Sequence, residues 1–148
     1  MSDVLQVPPD FAPHFRKSPV TDAWEPLYSQ RAGGIVRIGL RLDRRHCNSR
    51  GFVHGGVIAA LADNAMGLSV HESRAAASAG SAESTGSVTM NLTVDFLASA
   101  RIGDWLEISP RVLKHSGSTG FVDALVTCGE TIVARASAVF RIADRKDS

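Results

Sequence analysis

Between residues 48 and 63 the chain places groups with chemical potential at short, regular spacing. The run is Asn48-Ser49-Arg50-Gly51-Phe52-Val53-His54-Gly55-Gly56, and it leads straight into an apolar segment that contains Asp63. Gly55 and Gly56 fall where a helix should start. A helix N-terminus offers N–H groups without intrahelical partners and a partial positive charge. Glycine lets a ligand come close to those groups. The backbone there is suited to hold an oxygen that gains negative charge, such as the carbonyl of an ester or thioester under attack. Two glycines would also serve as a plain tight turn, and the dipeptide alone favours that simpler role. Asp63 changes the balance. A carboxylate in the middle of an apolar helix is costly unless it is paired or used. It lies too far inside the segment to be an N-cap. On a helical wheel it sits opposite the main apolar stripe, among Ala59, Ala60 and Gly67. Small neighbours imply that something packs closely there. A solvated Asp beside Asn64 is the competing reading.

Other reactive residue types form weaker patterns. His46, Cys47, His54 and His71 are metal-ligand types, but their spacings match no zinc template, so no metal is expected. Cys47 as a nucleophile is unsupported, since the sequence does not position a base for it. No G-x-S-x-G is present, so the His-Gly-Gly run does not belong to a serine hydrolase. His54 could be a structural hydrogen-bond partner, Asn48 a turn residue and Ser87 merely the start of a strand.

The elements that must position these groups follow from periodicity. Gly34 to Leu42 alternates, with Val36, Ile38, Leu40 and Leu42 on one face, which predicts a strand with one buried side. Val57 to Val70 repeats at helical spacing and is apolar nearly all round, which predicts a buried helix. Residues 71–86, rich in Ala, Ser, Gly and Glu, read as a loop. Four strands should follow: Ser87 to Leu97 with Val88, Met90, Leu92, Val94 and Phe96 inward, then Asp104 to Lys114, Thr119 to Cys128 and Thr131 to Ile142. Pro110 marks an edge position or bulge in the second of these, and Gly129-Glu130 marks a tight hairpin. Residues 1–33, punctuated by five prolines, read as an irregular arm whose aromatics Phe11, Phe15 and Trp24 dock on the body and are candidates to cover a pocket mouth. Residues 34–142 form the domain and 143–148 a charged, frayed tail. One strand, one buried helix and then a strand meander argue for α+β, with a mostly antiparallel sheet wrapped around a central helix, and against a doubly wound parallel sheet. Apolar residues on both faces of the last strand predict a second subunit joined by edge strands.

Length and composition narrow the function. A chain of 148 residues is one domain. Sixteen basic against fifteen acidic residues leave a net charge of +1, so no nucleic-acid or anionic-membrane partner is expected. Two distant cysteines read as free thiols of a reducing compartment. With no apolar run of signal or membrane-spanning length, the expected location is cytoplasmic.

The motif Asn48-x-x-Gly51-x-x-His54-Gly55-Gly56, with Asp63 nine positions after the histidine, resembles that of the hotdog-fold thioesterases. The likeness is strongest to the subgroup of the phenylacetic acid degradation protein PaaI and related acyl-CoA thioesterases. Ser87 to Thr93 is similar to the strand that follows the central helix there, and the resemblance spans about residues 34–142. It implies a hotdog fold, a homodimer often paired into a tetramer, and an active site between subunits. It implies hydrolysis of a CoA thioester, phenylacetyl-CoA or another aryl- or acyl-CoA, with CoA as part of the substrate and no further cofactor. Carried over by position, Asp63 would be general base or nucleophile, facing the partner's His-Gly-Gly turn. Gly55 N–H would be the oxyanion donor and Asn48 would polarise the carbonyl or orient water. His54 would lie near the thioester, and Ser87 would position water beside Asp63. Gly56 and Asn64 are the expected substrate contacts, with Lys114 and Arg135 as candidates for the CoA phosphates. A non-catalytic acyl-CoA binder is the alternative. A hotdog dehydratase or hydratase is a weaker third, since it needs a differently arranged His and acid.

Overall fold

A computed structural model describes residues 6–77 and 84–144. Seven strands form a single antiparallel sheet in the order β1-β2-β3-β5-β6-β7-β4. They are β1 (Ala12–Pro13), β2 (Tyr28–Ala32), β3 (Ile35–Arg41), β4 (Ser84–Phe96), β5 (Trp105–Ser116), β6 (Thr119–Cys128) and β7 (Thr131–Asp144). A four-residue helix α1 (Pro19–Asp22) lies in the arm, and the long helix α2 (Gly55–Ala77) packs across β3 to β7. This is the expected antiparallel sheet around one central helix. No helix of the described residues is long and apolar enough to cross a membrane.

Helix α2 holds the sheet together because its apolar residues meet every strand that can reach it. Ile58, Leu61, Met66 and Val70 are at most 1% exposed. Each large side chain so buried is worth about 1.5–3 kcal/mol. The facing residues are Val36, Ile38 and Leu40 of β3, Leu106 and Ile108 of β5, Val122 and Val126 of β6, and Phe140 of β7. Their spacing of two is what a half-buried strand requires. One polar group joins this core. Pro110 has no N–H, and the β3–β5 ladder stops short of it, at Ile38–Ile108. The backbone of Val36 turns instead to Ser69 of α2, whose Oγ accepts the Val36 N–H at 3.0 Å and donates to the Ala65 carbonyl at 2.7 Å. Pro110 thus sits where β5 has become a local edge, one of the two positions foreseen for it.

The helix outruns its apolar pattern by two turns. Residues 71–77, expected to be loop, are helical, while 78–83 lie outside the described residues and β4 begins at Ser84. The added turns are polar, and they are tied to the sheet. Glu72 pairs with Arg31 of β2, and Ser73 Oγ lies 3.0 Å from His115 Nε2. Such contacts carry no hydrophobic period, so periodicity could not reveal them.

The N-terminal residues are more ordered than an irregular arm. Tyr28–Ala32 pairs with β3, and Ala12–Pro13 pairs with β2. The segment Tyr-Ser-Gln-Arg-Ala lacks apolar alternation; it becomes a strand because β3 would otherwise present an unpaired edge. Phe11 packs edge-on to Trp105 with ring centres 5.5 Å apart, and Leu27 is in the core. His46 fastens the arm to the loop before α2. Its Nδ1 accepts the Asp43 N–H at 2.9 Å and its Nε2–H donates to the Trp24 carbonyl at 2.8 Å. Residues 1–5 and 145–148 of the expected arm and tail lie outside the described residues.

The strand reading also needs one correction in β4. Val88 and Met90, expected to face inward, are 55% and 63% exposed, whereas Phe96 keeps the helix side but lies over Gly55 at the end of α2 and is 55% exposed. The register shifts between Thr89 and Asn91, so Met90 is an extra residue, and the facing side changes there. Ser87 and Thr89 point to α2 before the bulge; Leu92 and Val94 pack against the core after it.

Burial lowers the pKa of His14, His46 and His115 below the ordinary 6.5. The unfolded chain then binds more protons than the native state as acid is added, so stability falls with pH. The thermal midpoint is expected to be level above pH 7.5 and to drop as pH falls through about 6.5 toward 5. Scanning calorimetry at fixed ionic strength measures this, and a midpoint that rises with acid would contradict it.

Candidate active site

The loop before α2 is closed by its own side chains. Asn48 Oδ1 accepts the N–H groups of Arg50 at 2.9 Å and Phe52 at 3.2 Å, while Gly51 takes a left-handed φ of 80° to complete the turn. The oxygen of Asn48 is therefore spent on the turn, and only its amide nitrogen remains for a ligand. His54 stands at the N-cap of α2. Its Nδ1 accepts the Gly56 N–H at 2.8 Å, the bond a capping side chain makes to the second helical residue. Gly56 N–H is thereby occupied. Gly55 N–H has no hydrogen-bond partner among the described residues. Of the two glycines, the first is left as the free donor. Phe96 leans over it, with ring atoms about 3.0 Å from where a Gly55 Cβ would stand. A side chain there would force the ring aside.

Asp63 lies two turns further along α2 and is half-buried. Thr89 Oγ1 donates to its Oδ1 at 2.6 Å. No Lys, Arg or His among the described residues forms an ion pair with it. The carboxylate opens on a cleft of about 320 Å³ shared with Asn64, Gly67, Leu68, Ser87 and Thr89. Ser87 Oγ donates to the Gly67 carbonyl at 3.3 Å, not to Asp63. Gly67 permits this approach, because a Cβ there would come within about 3.2 Å of both Phe140 and Ser87. The hydroxyl on the acid is thus that of Thr89, which sequence alternation had turned outward; the bulge at Met90 reverses it, and no local sequence signal announces a bulge.

Helix geometry separates the two halves of the expected site. Eight residues at 1.5 Å each put Gly55 and Asp63 about 12 Å apart along the axis. Asn48 lines a different cleft, of about 440 Å³, with Cys47, Ser49, Gly51 and Ile102. Burial pushes the Cys47 thiol above its ordinary 9.0, which keeps it protonated and poorly nucleophilic. Among the described residues no three His, Cys, Asp or Glu side chains converge as metal ligands do.

The profile of the thioesterase superfamily matches residues 50–135, which holds both the glycine turn and Asp63. The chain belongs to the thioesterase superfamily. A candidate esterase of Pseudomonas aeruginosa is 38% identical over 140 residues, covering 94% of this chain and 99% of that protein. The Streptococcus mutans protein smu.793, solved with acetyl CoA bound, superposes with a TM-score of 0.64 at 27% identity, over 75% of this chain and 82% of that one. The PaaI protein of Escherichia coli superposes with a TM-score of 0.67 at 19% identity, over 78% of each chain, which shows a shared hotdog fold.

Within this thioesterase-superfamily chain the structure gathers Asp63, Asn64 and Ser87 on one cleft, and His54, Gly55 and Gly56 on one turn. It does not gather Lys114 and Arg135 with either. Arg135 is exposed on the outer face of the sheet, bound to Asp95 at 2.9 Å, beside a separate groove of about 530 Å³. Lys114 is exposed on β5 opposite Phe121. Two arm residues that carry no motif do reach the Asp63 cleft. His14 is 1% exposed and its Nε2–H donates to Asn64 Oδ1 at 3.0 Å, and Arg16 lines the cleft itself. The aromatics Phe11, Phe15 and Trp24 do not line it.

Proposed function

We propose that the protein is an acyl-CoA thioesterase that acts as a homodimer and hydrolyses a CoA thioester to the free acid and CoA. Asp63 carries the reading. A half-buried carboxylate with one hydroxyl donor and no ion pair among the described residues is poorly explained as a structural group, because a single neutral hydroxyl is all that offsets its desolvation. It is well explained as a base that keeps one oxygen for chemistry. The superfamily membership and the acetyl CoA bound by the Streptococcus mutans relative support the substrate class.

In this scheme Asp63 of one protomer works with the partner subunit's Gly55. Asp63 takes a proton from water, and the water oxygen bonds to the thioester carbon. The carbonyl electron pair moves onto oxygen, where the Gly55 N–H and the positive end of α2 hold it. The carbonyl reforms as the carbon–sulfur bond breaks, and the thiolate leaves with the proton returned from Asp63. His54, whose Nδ1 is occupied by Gly56, offers its Nε2–H to the departing sulfur. A dimer is favoured by the separation of about 12 Å between acid and donor in one chain. The outer edge of β4 is free to pair: this strand ends the sheet and exposes Val88 and Met90.

Asp63→Asn is expected to lower kcat at least about a hundredfold in a thiol-release assay while the dimer stays folded. Thr89→Ala should lose about tenfold or more, and Thr89→Ser most of that loss regained. Unchanged turnover in Asp63→Asn would remove it from the mechanism.

Gly55→Pro deletes the proposed oxyanion donor at the one helical position where proline is welcome. It also pushes the Phe96 ring aside, so Gly55→Ala, which moves the ring but keeps the N–H, is the control: Gly55→Pro should fall about 10²–10³ in kcat below Gly55→Ala with the circular dichroism of the helix retained. Mixing Gly55→Pro with Asp63→Asn chains restores one intact composite site per hybrid dimer, so activity should reappear on subunit exchange. Absence of any recovery in verified hybrids would refute the shared site.

A further inference from the structure

The cleft beside Asp63 has a wall that hydrolysis itself does not use. Arg16, between β1 and α1, is solvent-exposed at the rim of that wall and makes no hydrogen bond or ion pair with any described residue, Asp63 included. The arm is anchored there by the buried His14, whose Nε2–H is bound to Asn64 Oδ1 at 3.0 Å. That bond uses the oxygen of Asn64 and leaves its amide Nδ2 as an unpartnered donor on the same cleft. The His14–Asn64 bond therefore orients Asn64 and sets Arg16 beside it. A guanidinium and an amide, both donors, share one pocket with no protein acceptor committed to either.

Donors arranged in this way fit a planar anion. Guanidinium matches a carboxylate with two parallel N–H groups. We propose that Arg16 and Asn64 receive a carboxylate at the far end of the acyl group, so that the preferred substrates are CoA monothioesters of short dicarboxylic acids. This rests on the thioesterase reading above. Asn64 follows Asp63 directly on α2 and both line this cleft, so a short acyl chain suffices to place the thioester at one and the carboxylate at the other. Discrimination runs in both directions. An aliphatic tail would cover Arg16 and Asn64 without satisfying them. A carboxylate placed near Asp63 without Arg16 would meet the like charge of that acid with no guanidinium to offset it.

The test compares glutaryl-CoA with 5-methylhexanoyl-CoA, which replaces the carboxylate by an isopropyl group of the same shape. Turnover is read by thiol release, and binding to the Asp63→Asn protein by calorimetry. The wild-type chain is expected to favour glutaryl-CoA by at least about tenfold in kcat/KM, near 1.4 kcal/mol. Arg16→Ala should bring that ratio below about twofold, and Arg16→Lys should leave it intermediate. The affinity ratio on the Asp63→Asn background should follow the same order. A ratio unaltered by Arg16→Ala overturns the proposal. So does an equal loss on both thioesters, which would place Arg16 on the CoA portion. If neither compound is hydrolysed by the wild-type chain, the thioesterase reading fails, while the affinity ratio still decides the role of Arg16: equal affinities, or no binding of either, overturn it.

Discussion

A rigid rod sets the terms for this molecule. Helix α2 presents a free N–H at its first residue and an acid two turns later, and its backbone hydrogen bonds keep them about 12 Å apart. No side-chain motion closes that distance, because Gly55 acts through its backbone and Asp63 is tied to Thr89. The helix cannot shift as a whole, since Leu61, Ala62, Ala65 and Met66 are fully enclosed by the sheet. Whatever uses both groups on one carbonyl must bring two copies of the helix together. The composite site of the proposed mechanism would thus follow from the fixed spacing of two groups on one helix.

Two small irregularities adapt this frame. The extra residue Met90 in β4 turns Thr89 onto the acid while leaving Leu92 and Val94 in the core. A regular strand could do one or the other, because its faces alternate strictly. His54 makes the second adjustment. By taking the Gly56 N–H it caps the helix and leaves Gly55 as the free donor, so a structural bond decides which N–H stays open to a ligand.

The arm shows how a segment without a recognisable pattern acquires a role. It is held by strand pairing to β3, by His46 across to Trp24 and by His14 on Asn64. Each anchor is made of directional hydrogen bonds between defined partners, which fix position more sharply than apolar contact would. Through these anchors Arg16 reaches the acid's cleft, although it lies 47 residues from Asp63 in sequence.

Much of the frame could be read from residue order. The buried face of β3, the apolar repeat of α2, the hairpin at Gly129 and the meander of late strands all follow from periods of two and 3.6, which are local properties. The glycine turn and the mid-helix Asp63 were legible for the same reason: each is unusual against its own neighbours. The rest depended on contacts between distant segments. The bulge at Met90, the bond from Thr89 to Asp63, the strand at Tyr28–Ala32 and the reach of His14 and Arg16 arise only when the sheet edge, the helix and the arm meet. Lys114 and Arg135 were named for their charge, and only the fold put them on the outer face of the sheet, away from the acid. Residue order determines which groups are present and which local element carries them. Register, edge pairing and the exit of a chain from a turn decide which of those groups meet, because these are settled by the sum of many non-local contacts and by no single neighbour.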